Sequence, residues 1–175
     1  MIRVSAFPAT VRAAFVPALA ALLLAGCASW APQPKILPGD SADSVRARMG
    51  NPTSVYPIPG GQELEYATGP FGQKTWMVRL DANGKVTSAE QVLTAQTFAK
   101  IRTGEFRKDD VLRLIGRPAE RSRVYLHNYE VWSYRYKEND VWNSMMHVHF
   151  DEDGVVRMLM SGPDTMFSDE RRPFR

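Results

Sequence analysis

The sequence predicts an α+β protein made of two tandem repeats, each with one or two short helices packed on a three- to four-stranded antiparallel sheet. Three observations carry this. A helix-sized motif occurs twice, "DSVRARMGNP" at 43–52 and "DDVLRLIGRP" at 109–118, with Asp43, Val45, Gly50 and Pro52 matched by Asp109, Val111, Gly116 and Pro118 at a constant offset. After each copy the apolar period changes from helical to alternating. Each copy then ends in a tight glycine-containing link, "DANGK" or "DEDGV", of the kind that closes a hairpin. The intervals between motifs lengthen slightly in the second copy, as insertions in surface loops do. The folded part therefore divides into repeat 1 at 39–93 and repeat 2 at 94–163.

What precedes the repeats reads as export and attachment. Residues 1–26 hold Arg3, Arg12 and no acidic residue, followed by an apolar run from Ala13 to Ala25 broken only by Pro17. That run is short of the roughly 20 residues a membrane-spanning helix needs, so a cleaved signal is expected. It ends in Leu24-Ala25-Gly26-Cys27, which resembles a bacterial lipobox, and Cys27 is the only cysteine of the 175-residue chain. A lone cysteine forms no internal disulfide. Here it is expected to carry diacylglycerol on sulfur and an acyl group on nitrogen, which makes it a permanent anchor and not a nucleophile. Ala28 follows, and in lipoproteins of this type that implies the outer membrane, facing the periplasm. Residues 27–38 then form a tether, since Pro32, Pro34 and Pro38 favour extended backbone that reaches roughly 30 Å over ten residues.

Removing residues 1–26 leaves 20 basic side chains against 19 acidic ones, so no electrostatic footprint for nucleic acid remains. With 44% apolar residues the chain can build a core.

Within repeat 1, Ala42, Val45 and Met49 share one helical face; in repeat 2 Val111, Leu114 and Ile115 do. Gly50-Pro52 and Gly116-Pro118 are read as helix ends, with each glycine in the left-handed C′ conformation. A further helix is expected from Ala95 to Thr103, its counterpart in repeat 1 being only the short Lys35 to Leu37. Strands are expected at 74–80, 85–92, 145–150 and 155–160, with Tyr129, Val131 and Ser133 alternating against Glu130, Trp132 and Tyr134 in another. The tail 164–175 ends in "SDERRPFR" and is expected to be polar and frayed.

Several residue groups invite a functional reading. His147 and His149 in "MHVHF" lie on one strand face, but two ligands do not complete a metal site and His127 is the only other histidine, so solvent-facing histidines opposite Met146, Val148 and Phe150 are expected and no metal. "DEDG" at 151–154 lacks the glycine and glutamate positions of a calcium loop and aligns with "DANG", which makes it a turn. No G-x-S-x-G, phosphate-binding glycine loop or H-E-x-x-H is present, so no enzyme and no cofactor are expected. The candidate partner-binding residues are apolar side chains on equivalent loops, Phe71 in "ATGPFGQKTW" and Val141 and Trp142 in "KENDVWNSMM". Trp132, Tyr134 and Tyr136 share one strand face, with Tyr125 placed beside them in the neighbouring strand. Such a stripe is either core or an exposed aromatic groove of the kind that interfaces favour.

"LPGDSADSVRARMGNP", an aromatic-rich strand and "VRLDANGKV" resemble the BamE (SmpA/OmlA) family of outer-membrane lipoproteins, and repeat 2 echoes the pattern. The family carries one such unit after its tether; this chain carries two. The resemblance implies an accessory module of the β-barrel assembly complex that works by contact with partner proteins and lipid, without catalysis. A tandem pair of units also resembles the β-lactamase inhibitory proteins, which implies a periplasmic inhibitor or sensor as the alternative. A peptidoglycan- or lipid-binding structural lipoprotein is a third reading.

Overall fold

In the computed structural model, residues 35–167 are described. The signal, Leu24, Ala25, Gly26, Cys27, most of the tether and residues 168–175 lie outside them. Helix α1 (Ala42–Met49) precedes strands β1 (Ser54–Ile58), β2 (Gly61–Ala67), β3 (Thr75–Asp81) and β4 (Val86–Gln91). Helices α2 (Ala95–Phe98) and α3 (Lys108–Ile115) precede β5 (Glu120–Val124), β6 (Tyr129–Glu138), β7 (Trp142–Phe150) and β8 (Val156–Pro163). The strands form two four-stranded antiparallel meanders, β1-β2-β3-β4 and β5-β6-β7-β8. The chain is thus α+β with two tandem units. The helix expected over 95–103 stops at Phe98, whose neighbour Ala99 ends it with backbone bonds to Ala95 and Thr97.

The two units repeat each other at the level of single hydrogen bonds. In the first, Gly39 N–H donates to Val86 O, Val86 N–H to Asp40 O and Ala42 N–H to Gly84 O. In the second, Gly104 N–H donates to Val156 O, Val156 N–H to Phe106 O and Lys108 N–H to Gly154 O. The turn residues Asp81 and Asp151 each accept from a glycine three residues on. Equivalent residues therefore fasten each helix start to the last hairpin of its own sheet.

Alternation along β2 decides what covers the first sheet. Leu64 and Tyr66 join Val45 of α1, Val78, Leu80 and Val86 in one apolar cluster. Glu63 and Glu65 therefore lie on the opposite face, and that face is also buried. It is covered at the end of α3: Arg117 N–H donates to Glu65 Oε1 at 2.9 Å, and Tyr56 Oη donates to Glu65 Oε2 at 2.7 Å. Two donors satisfy a carboxylate that would otherwise be very costly to bury. The second core gathers Phe98, Val111 and Ile115 of α2 and α3 with Trp132, Tyr134, Tyr136, Val148, Phe150 and Val156.

Helix α3 closes as the Gly-Pro signal requires, with one difference. Gly116 donates to Leu112 O, but its φ of 78° comes with ψ −163°, an extended positive-φ backbone and not the left-handed helical one; Gly50 does the same at φ 80°, ψ −161°. Only glycine visits this region freely.

At the start of β6, Glu130 accepts from Lys108 Nζ and from Trp132 Nε1, each at 2.6 Å. These bonds hold its carboxyl below the ordinary glutamate value of 4.5. A depressed folded pKa gives stability that is present above the unfolded value and lost as pH falls through the folded one. The Glu130→Gln variant is accordingly expected to be less stable than wild type at neutral pH and to lose less stability between about pH 5 and pH 3, read by urea denaturation at each pH.

Candidate functional site: an apolar tip shared by the two units

The loop after β2 and the turn after β6 occupy equivalent places in the two units, and the structure brings them side by side. Residues 68–74 form a closed loop in which Thr68 N–H and Oγ1–H donate to Lys74 O and Gly72 N–H donates to Gly69 O. Gly72 has no room for a side chain, since an added Cβ would lie 1.9 Å from Thr68 Oγ1. The turn in the second unit is Glu138-Asn139-Asp140-Val141, closed by Val141 N–H to Glu138 O, with Asn139 and Asp140 at φ 50° and 58°. Glu138 pairs with Trp142, so three residues make the loop, two of them at positive φ, which Asn and Asp tolerate better than most residues.

Two contacts tie these segments together, and two more hold the C-terminal turn against them. Gln73 Nε2 donates to Asn143 Oδ1 at 2.9 Å, and Arg135 Nε donates to Pro70 O at 2.9 Å. Asn143 also holds the C-terminal turn: Asp164 N–H donates to Asn143 O, and Asn143 Nδ2 donates to Phe167 O at 3.3 Å. The result is one end of the molecule that presents Phe71, Val141 and Trp142, at 64%, 62% and 68% exposure, beside Met166 and Phe167 at 38% and 44%. Three segments held together by these bonds thus each carry large apolar side chains that stay exposed and enter neither core.

The base of this tip is a buried ion pair. Arg135 is 3% exposed at its side chain and Asp164 is 0% exposed; Arg135 Nη1 donates to Asp164 Oδ1 at 2.5 Å, and Arg135 Nη2 donates to Glu120. Burial alone would lower the guanidinium pKa, but the Asp164 and Glu120 carboxylates outweigh it and raise the value. Asp164 Oδ1 also accepts from Met166 N–H at 3.0 Å, which carries the pair's rigidity into the turn bearing Phe167. Beneath the Gly69–Gly72 turn lies a cavity of about 190 Å³, lined by Thr53, Pro70, Leu93, Arg117 and Tyr134 among others. It is smaller than the pockets that usually enclose a small-molecule ligand.

Phe71, Val141 and Trp142 are exposed, while other residues lie elsewhere than expected. Trp132, Tyr134 and Tyr136 form no exposed groove: all are buried beneath α2 and α3, so the core alternative holds for that stripe. Phe98 stands edge-on to Tyr136 at 4.9 Å, and Trp132 packs on Phe150 at 4.7 Å. Tyr134 Oη donates to Gly116 O, and burial pushes the Tyr134 phenol far above its ordinary range. Tyr125 is not in the neighbouring strand; it lies in the β5–β6 turn with Leu126, both strongly exposed, at the end of the second sheet opposite the tip. The histidines do not face solvent freely either, because His147 is half-buried and His149 is buried. The tail does not begin as a polar, frayed segment, since Asp164 is enclosed and residues 165–167 turn back onto Asn143. Among the described residues no three His, Cys, Asp or Glu side chains converge as a metal site, and no helix is long and apolar enough to cross a membrane.

No family model matches the chain, and no curated protein matches it. Among solved structures the chain is similar to a DUF4309 family protein from Bacillus subtilis, at 11% identity and TM-score 0.31, over 71% of this chain and 79% of that one. It is similar also to a candidate β-lactamase inhibitor protein from Streptococcus mutans, at 12% identity and TM-score 0.28, over 75% of this chain and 87% of that one.

Proposed function

We propose that the chain is a non-catalytic, lipid-anchored binding module of the cell envelope that holds a partner protein through the tip formed by Phe71, Val141, Trp142, Met166 and Phe167. The observation that carries this reading is that the hydrogen-bonded segments at the Arg135–Asp164 pair each carry exposed apolar side chains, from both units. Rigid aromatic anchors supply most of the binding energy at protein interfaces, and pre-ordering them lowers the entropy cost of association. Ile36 enters the fold beside Val86, at the end of the first sheet away from the 68–74 loop. The BamE-like motifs favour the β-barrel assembly complex of the outer membrane as the partner, with the chain facing the periplasm.

The test is capture from native membranes by the lipidated chain, compared with a Phe71→Asp/Trp142→Asp variant and with Cys27→Ser. Recovery of barrel-assembly subunits by wild type and their loss with the tip variant supports the reading. Consistent capture of a soluble periplasmic enzyme would instead favour an inhibitor, and sedimentation with peptidoglycan would favour a structural lipoprotein. Equal capture by wild type and the tip variant overturns the assignment of the tip.

A further inference from the structure

The reverse face of the second sheet, beyond Arg135, carries nitrogen and sulfur donors in register. Strands β7 and β8 pair antiparallel, with His147 opposite Met160 and His149 opposite Met158. Alternation places all four on the face away from α2 and α3, because Val148, Phe150, Val156 and Leu159 of the same strands point into the helix-covered core. Directly opposed residues of an antiparallel pair have Cβ atoms about 4.5–5.5 Å apart, and diagonal neighbours about 7–8 Å, within reach of imidazole and thioether arms.

The state of each side chain fits a ligand set. His149 is 7% exposed, and its Nδ1 is buried without a hydrogen-bond partner. A buried polar atom without a protein partner is rare in folded proteins, and such an atom commonly serves a bound water or ion. His147 Nδ1 lies 2.8 Å from Ser133 Oγ. That contact orients the ring and leaves Nε2 as the nitrogen available for coordination, as outer hydrogen bonds do for metal-bound histidines. Met158 and Met160 are 38% and 50% exposed, so their sulfurs are accessible. The row is closed at one end by Met145, whose sulfur faces Arg135 Nη1 at 3.8 Å, and at the other by Tyr129, edge-on to His149 with ring centroids 6.4 Å apart.

Donor type selects the metal. Thioethers are soft, neutral ligands that favour copper(I), whereas calcium, magnesium and manganese take oxygen, and zinc sites are built from thiolate, imidazole and carboxylate. The geometry points to a copper(I) site formed by His147, His149, Met158 and Met160. Four neutral donors bring no negative charge of their own, which suits a soft, singly charged ion. The site is independent of the tip, so it stands or falls separately from the binding role.

The test is competition for copper(I) between the purified full-length chain, in detergent and under anaerobic reducing conditions, and the chromophoric chelator bicinchoninate. A Cys27→Ser background removes the chain's only thiol. One copper per chain is expected. Met158→Leu/Met160→Leu, which keeps side-chain volume at accessible positions, should weaken binding by about tenfold or more. His149→Phe should do the same, while the Met→Leu changes leave any zinc binding unaltered. Circular dichroism confirms that each variant is folded. Failure to take copper from the competitor, or equal uptake by wild type and the double leucine variant, overturns the site.

Discussion

Arg135→Leu is expected to cost about 3–5 kcal/mol of stability, the range for removing one member of a buried ion pair. The reason lies in what remains. Asp164 has no exposed surface, and its Oδ1 receives Arg135 Nη1 and Met166 N–H, while its Oδ2 has no partner even in the intact protein. Without the guanidinium the carboxylate is left buried with a single backbone donor. The same substitution removes the bond to Pro70 O, so the 68–74 loop keeps only the Gln73–Asn143 bond to the second sheet. Removing both charges is much less damaging, because a buried pair replaced by apolar side chains is often near neutral. The double variant Arg135→Leu/Asp164→Leu is therefore expected to be more stable than Arg135→Leu alone, as measured by urea denaturation. A single variant within about 1 kcal/mol of wild type would show that the pair does not hold the tip.

Gly116→Ala is the second large effect, and its counterpart in the other repeat provides the control. Gly50 and Gly116 have the same backbone conformation, so alanine at either position pays the strain of a region reserved for glycine, about 1–3 kcal/mol. They differ in surroundings. A Cβ on Gly50 meets nothing within 4 Å, whereas on Gly116 it would stand 2.9 Å from Glu65 Oε1 and 3.0 Å from Thr75 Cγ2. Glu65 is held by Arg117 N–H and Tyr56 Oη and cannot move aside without losing them. Gly116→Ala is expected to exceed Gly50→Ala by about 1–3 kcal/mol, the usual cost of overpacking. At about 2–4 °C per kcal/mol this difference is readable as a separation of the two thermal midpoints. Equal effects would mean that the join between the units yields at no cost.

The contrast between these glycines shows which features local sequence can reveal. Both were readable as helix ends, because a Gly-Pro pair after an apolar helical face acts through the chain's own backbone. The hairpins at Asp81 and Asp151 were readable for the same reason. That only Gly116 is enclosed depends on Glu65, far away in the sequence. The stripe Trp132, Tyr134 and Tyr136 was correctly placed on one face of a strand, but alternation does not say which face the helices cover. Strand β5 passed without notice because Glu120, Arg121 and Arg123 give it the charged pattern of a protected edge, and Pro57 similarly masks β1.

The tip was half legible. Phe71, Val141 and Trp142 stand out as apolar residues among turn formers, a signal present in the sequence itself. Met166 and Phe167 join them only because Asp164 is drawn into the fold by Arg135, a partner that no local pattern could name. The His and Met pairs of the reverse face needed the register between β7 and β8. A shift between His149 and Phe150 offsets that register, so counting along the strands does not reveal it.

The most direct test of the tip as the binding surface is site-specific photo-crosslinking in native membranes, with a photoreactive residue placed at Trp142 or at Tyr125. Both positions are exposed, and they lie at opposite ends of the second sheet. A discrete adduct with an envelope protein from position 142 and none from position 125 is the predicted result. The same adduct from position 125, with none from 142, would contradict it.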